Sequence, residues 1–284
     1  MSPVLKVNFR DDWKEFLERT LADYDLSNAP SQSVEENTVT YFNAKRRIAR
    51  NTGRVVHESR ELCIPKQHHG DYSLLKRITS EGGDLKPYLS RDIQKKRADK
   101  NDSLLNAWGI QHLHFQPEGT RDVLFVRITD SEIFALQALP HGHGHSQVWV
   151  NTTLLEILHD NWLGVTSGKV VGVPGESLTA TQRTTLRRRN VNFATAMRDG
   201  TVYVTPGGGT TMAGHCFSDI RNSAQILSNL TYWQKQVEAN EGSFRAALGI
   251  FVPSELSIKM VFDKEECWLY EPTKQAKLSL RLQK

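Results

Sequence analysis

Apolar positions recur at helical spacing in several stretches of the chain and alternate strictly in others. Trp13, Phe16, Leu17 and Leu21 form one stripe, with Asp11 or Asp12 placed to cap it, which predicts a helix within residues 1–26. Asn28 to Ser33 reads as a loop, and 38–50 as a short strand or helix start that runs into Lys45, Arg46, Arg47 and Arg50. Residues 71–107 carry helical periodicity broken at Gly82-Gly83, with Pro87 placed to open a second helix. The pattern then changes to period two. Ile110 to Phe115, Val123 to Ile128 and Ile133 to Leu139 are short runs separated by turn residues, which predicts an antiparallel meander of three strands. A helix from Leu154 to Trp162 follows, capped by Asn151 or Thr152 and ended near Gly164.

Residues 164–184 are rich in Gly, Thr, Ser and Pro and are the expected boundary between a lobe at 1–165 and a lobe at 185–284. In the second lobe, Arg198-Asp199-Gly200 predicts a hairpin turn between short strands. Phe217, Ile220, Ala224, Leu227, Leu230, Trp233 and Val237 predict one long amphipathic helix near 217–239, and alternation around 256–262, 268–270 and 278–282 predicts terminal strands. The expected fold class is therefore α+β: N-terminal helices, a central antiparallel meander, and a second α+β lobe with one long helix.

Composition narrows the setting. Of 284 residues, 38% are hydrophobic and 24% charged, which excludes a disordered chain, and a net charge of +4 permits a nucleic-acid partner without demanding one. Cys63, Cys216 and Cys267 are odd in number and widely spaced, with no CxxC pair, which speaks against a disulfide framework or a cysteine zinc site and for a reducing compartment. Met1 to Lys6 lead into no apolar signal core and no run is long enough to span a bilayer, so the cytoplasm is the expected location and no membrane partner is expected.

The candidate chemistry gathers on the meander. His112 and His114 lie two apart on one predicted strand and so share a face, and His141, His143 and His145 follow the third strand in an HGHGH loop. Imidazoles suit acid–base catalysis near neutral pH; a half-buried, hydrogen-bonded pair beside a surface loop is the competing structural reading. His141, His143 and His145 as metal ligands form an alternative, weakened by the lack of an HExxH motif and by the flexibility of the loop. Arg121 at a turn and Arg127 inside an apolar strand either face solvent or hold a phosphate. Lys95, Lys96 and Arg97, and the run Arg187, Arg188 and Arg189, are solvated faces or contacts to a phosphate backbone. Gly207-Gly208-Gly209 precede a helix without the Lys-Ser/Thr of a Walker loop; the alternatives are a structural turn and an anion cradle.

Helices followed by a meander bearing His112, His114, Arg121, Arg127 and the HGHGH loop resemble, over about residues 85–162, the barnase/EndoU/colicin/RelE group of ribonuclease toxins. That resemblance implies a metal-independent endoribonuclease, a bacterial toxin or phage-defence protein, needing no cofactor and acting on RNA, with an antitoxin or regulatory protein as partner. His112 and His114 would be its acid and base, and Arg121 and Arg127 would stabilise the phosphorane. The alternatives are a non-catalytic nucleic-acid-binding or regulatory protein, and a metal-dependent hydrolase built on the HGHGH loop.

Overall fold

The computed structural model describes residues 5–24, 26, 32–90, 93, 101–175, 177–249, 256–263 and 266–280. The fold is α+β, as the pattern predicts. Its compact units do not follow the expected lobes, however. One joins the two chain ends, residues 1–42 and 220–284, and the other is residues 43–219. The supposed boundary at 164–184 lies within the second unit, where Lys169–Val170 pairs as a strand.

In the terminal unit, strand β1 (Leu5–Val7) runs parallel to β9 (Leu256–Asp263), which continues antiparallel into β10 (Glu266–Glu271) and β11 (Ala276–Leu280). Helix α1 (Phe9–Asp23) buries Phe9, Trp13, Leu17 and Leu21. Trp13 stacks on Phe16, meets Phe262 of β9 edge-on with ring centroids 4.9 Å apart, and donates its indole N–H to Thr38. The cap of α1 is Asn8, whose side chain accepts from the Asp11 amide. Asp12 instead accepts the Met260 amide of β9 at 2.7 Å, so the expected cap residue ties the helix to the sheet. Residues 38–47 form most of helix α2 (Val34–Arg47), and 48–50 lie beyond its end.

The second unit is built on a four-stranded sheet in the order β2 (Val55–Glu58), β5 (Glu132–Pro140), β4 (Asp122–Ile128), β3 (Gln111–His114). β3, β4 and β5 are the predicted meander; β2 adds to β5 in parallel, a pairing no local pattern announced. On one face Leu113, Leu124, Val126, Ile133 and Ala135 meet helix α3 (His69–Glu81) through Tyr72 and Leu75. The other face carries Val123, Phe125, Phe134 and Leu136 into the main core. There they meet Trp108 of helix α4 (Ser103–Trp108), the apolar face of helix α5 (Thr153–Asn161), and Tyr203. A bulge between Phe125 and Val126 shifts the β5 register, so Leu139 and Phe134, an odd number of positions apart, both serve this face.

Tyr203 belongs to β8 (Val202–Val204), the middle strand between β6 (Lys169–Val170) and β7 (Ala194–Ala196). The β7–β8 hairpin turns at Asp199-Gly200 as expected. His159 of α5 anchors it, with one ring nitrogen 2.9 Å from the Tyr203 hydroxyl and the other 3.1 Å from the Asp199 carboxylate. Helix α6 (Ala180–Arg188) starts at a capping box formed by Thr179 and Gln182, and α7 (Phe217–Ala239) and α8 (Glu241–Ala247) precede β9 in the chain. Among the described residues no helix is long and apolar enough to cross a membrane.

The glycine loop after β8 is a structural turn. Gly207 N–H donates to Ala107, Gly208 to Thr205 and Gly209 to Asn106, so these donors are spent on carbonyls rather than turned to an anion. Gly207 sits so tightly against α4 that a Cβ there would lie 1.9 Å from the Leu105 carbonyl oxygen and 2.5 Å from the Gly109 amide. Gly207→Ala is expected to lower stability by about 1–3 kcal/mol through overpacking, read as a fall in the urea midpoint; an unchanged midpoint would show that loop and helix part freely.

Candidate functional site

The meander brings three imidazoles together. His112 and His114 stand opposite Phe125 and Val123 of β4, and therefore on the core-facing side of the sheet. Val123 is in turn opposite Leu139 of β5, and His141 lies two residues beyond Leu139 with the same parity. β5 thus delivers His141 past the end of β4, where its backbone N–H donates to the Arg121 carbonyl at 2.9 Å. The ring centroids of His114 and His141 are 5.2 Å apart, those of His112 and His114 5.7 Å, and those of His112 and His141 6.1 Å. Trp149, from the 3-10 turn Ser146–Val150, forms the wall. Its ring lies 4.9 Å from His112 and 5.7 Å from His141.

Hydrogen bonds set how each ring presents its nitrogens. His141 Nδ1 lies 2.7 Å from the Arg121 carbonyl oxygen. A carbonyl only accepts, so Nδ1 carries the proton and, in the neutral ring, Nε2 holds a lone pair, the form of a general base. His114 Nδ1 accepts the Thr120 amide at 2.9 Å, which puts the proton of its neutral ring on Nε2. The Thr120 carbonyl lies 3.2 Å from the same Nδ1, an acceptor for the ring when it is cationic. Backbone polar groups therefore assign the two rings opposite tautomers. His112 differs in kind: burial pushes its pKa down to about 4, with His141 and Arg47 adding to the effect and Asp102 opposing it. It is a neutral imidazole near pH 7.

The other expected site residues separate. Arg121 is at the cluster's rim: its carbonyl holds His141, and its exposed guanidinium donates to His145 Nε2 at 3.3 Å. Arg127 is not at the cluster. It follows the residue paired with Gln111, toward the far end of β4 from His114, and donates to the Gly109 carbonyl at 3.2 Å while burial lowers its pKa. The HGHGH residues part company as well, with His141 facing the rings, His145 held by Arg121 and His143 exposed. Among the described residues, no group of three or more His, Cys, Asp or Glu side chains is arranged to hold a metal ion. Arg188 and Arg189 are exposed at the end of α6, but Arg187 does not join them: it turns inward onto Trp108. Lys95, Lys96 and Arg97 lie outside the described residues. Cys216 is buried, with its sulfur 3.0 Å from the Ser218 hydroxyl, whereas Cys63 is exposed.

Trp149 and Asp102 were missed by sequence reasoning. Asp102 is recognisable in hindsight as the cap of α4, accepting the Leu104 and Leu105 amides. Trp149 carries no signal of its own, because only the 3-10 turn brings it over the histidines. Comparison with known proteins supplies no relative: no family model, no curated protein and no solved structure matches the chain.

The depressed pKa of His112 gives a pH dependence of defined sign. The unfolded chain protonates this residue near pH ~6.5, the folded one only near 4. Between those values the unfolded state holds more protons, so stability falls as pH falls. Denaturation midpoints are expected to decline across that window, and His112→Gln to flatten the decline. A slope indifferent to the substitution would show that another group carries it.

Proposed function

We propose that the chain is a metal-independent endoribonuclease whose centre is the cluster of His112, His114 and His141 with Arg121 at its rim. The observation that carries the reading is the pairing of opposite tautomers: His141 offers a lone pair at Nε2 and His114 a proton at Nε2, with a third, neutral imidazole between them and Trp149. In this reading His141 Nε2 takes the proton of a ribose 2′-hydroxyl, and the freed oxygen attacks the adjacent phosphorus. The bond from phosphorus to the 5′-oxygen breaks, and cationic His114 gives that oxygen its proton. The products are a 2′,3′-cyclic phosphate and a 5′-hydroxyl end. His112, held neutral, donates a hydrogen bond to a non-bridging oxygen, and the Arg121 guanidinium meets the charge that builds there. His141 thus takes over the base role first expected of the His112/His114 pair, and Arg127 has no part. A toxin or defence role in the cytoplasm, with a regulatory protein as partner, is the setting this reading suggests.

Total RNA incubated with purified protein tests it. Cleavage is expected to survive EDTA, to leave 2′,3′-cyclic phosphate ends, to fall by about 10²–10⁴-fold in His141→Ala, and to vanish in the His112→Ala/His114→Ala double variant. Arg127→Lys is expected to cleave at the parent rate per folded molecule. Full cleavage by His141→Ala would remove the assigned base. Salt-dependent binding without cleavage by the parent protein would instead make the chain a nucleic-acid-binding protein.

A further inference from the structure

A groove of about 410 Å³ opens between the end of β5, the turn Ser146–Val150 and the start of α6. It shares a residue with the rim of the imidazole cluster: His145 lines it, and His145 Nε2 takes the hydrogen bond from the Arg121 guanidinium at 3.3 Å. Leu139, Val148 and Ala180 give the groove apolar surface, and Gln147 and Arg183 give it polar groups. Gln147 is exposed, and its amide has no hydrogen-bond partner among the described residues. Arg183 is half-buried. It fastens α6 to the turn by donating from Nε to the Val150 carbonyl at 2.9 Å, and it donates from Nη1 to the Leu178 carbonyl. Its Nη2 takes part in neither bond and is not sealed from solvent.

Charge narrows what the groove holds. Residues 133–155, which supply nearly all of β5, the HGHGH loop and the turn, contain no Asp or Glu. Residues 177–190, which supply α6, contain none either, and they carry Arg183, Arg187, Arg188 and Arg189. No carboxylate lines the groove. Two adjoining segments without an acid, one of them rich in arginine, make a surface that favours an anionic chain. The neutral groups add a second requirement. An exposed Gln amide offers a donor and an acceptor side by side, the pattern that pairs with the edge of a nucleobase. Apolar surface beside it takes the face of the same base. In RNA those edges are free only where the strand is unpaired.

We propose that this groove is the subsite for the nucleotide next to the cleaved phosphodiester, and that the substrate is single-stranded RNA. The choice of occupant rests on the ribonuclease reading. The strand leaves the cluster at Arg121, passes His145 and enters the groove. There the base lies against Leu139, Val148 and Ala180 with Gln147 on its edge, and Arg183 Nη2 meets the next phosphate. A duplex does not enter, because its base edges are already paired.

Fluorescence anisotropy of the full chain with an end-labelled oligonucleotide of 2′-deoxy sugars tests the subsite, because a strand without 2′-hydroxyls binds and is not cut. The parent protein is expected to bind this single strand more tightly than the same strand annealed to its complement. Gln147→Glu is expected to weaken binding by about tenfold through the added carboxylate. Ala180→Asp is expected to act to a similar degree; it stands on the groove wall at the first position of α6, where an acidic residue favours the helix. Lys76→Gln makes the same change in net charge on α3, at the other face of the sheet, and is expected to bind as the parent does. No binding by the parent protein overturns the subsite. So does parent-like binding by both Gln147→Glu and Ala180→Asp, equal weakening by Lys76→Gln, or equal binding of strand and duplex. Cleavage of total RNA by the parent beside unchanged binding by Gln147→Glu removes the subsite and keeps the ribonuclease reading. Strand binding that Gln147→Glu weakens, without cleavage by the parent, removes that reading and keeps the groove as a strand-binding site.

Discussion

Strand β4 pairs along both edges, and the second unit is organised around that fact. Seven residues, Asp122–Ile128, are bonded to β3 on one side and β5 on the other, with Val123 and Phe125 directed into the core. A strand buried this way allows no slip of register, because a shift by one residue would send Val123 and Phe125 to the α3 side and bring Leu124 and Val126 to the core of Trp108 and α5. The same constraint fixes the imidazoles. His112 and His114 take their side from Phe125 and Val123, and His141 takes its side from Leu139. The histidines therefore meet because of a hydrophobic register rather than through any attraction among themselves, and the bulge at Phe125/Val126 reconciles the two ends of β5 with that single face.

Around this frame the backbone orients the imidazoles. Carbonyl and amide groups of Thr120 and Arg121, at the turn between β3 and β4, decide where the protons of His114 and His141 reside. Side chains then close the site from outside the sheet. Trp149 is held by Arg187, and Arg187 in turn rests on Trp108 of the main core. Asn106, Arg46 and Asp219 form a buried polar group, in which Arg46 donates to Asn106 at 2.6 Å and lies 3.1 Å from the Asp219 carboxylate, and burial raises the pKa of that acid.

Elements whose signal is local were legible in the sequence. The meander has alternation and turn residues, the 217–239 helix has a stripe of seven apolar positions, and the β7–β8 hairpin has Asp199-Gly200. What was not legible depends on distant pairing. β1 finds β9 across nearly the whole chain, and β2 adds to β5 from before α3, so the compact units could not be divided at a loop in the middle. The site divides in the same way. The shared face of His112 and His114 follows from their spacing, and the entry of His141 follows once the order of the meander is known. Arg127 and Arg187 were misassigned because charge in a sequence does not reveal whether a guanidinium reaches solvent or turns under a neighbouring carbonyl, as both do here. The glycine triplet shows the same limit, since the amides of Gly207 and Gly209 are consumed by α4, a partner about a hundred residues away.

The backbone of Thr120 offers one ring both of its polar groups. It sets an N–H and a C=O against one nitrogen of His114, at 2.9 and 3.2 Å. An imidazole in most settings must turn, or recruit water, to keep a partner when its charge changes. Here Thr120 presents the same nitrogen with a donor for its lone-pair form and an acceptor for its protonated form, each form leaving the other backbone group unmatched. The ring's orientation is thus tied to the turn between β3 and β4.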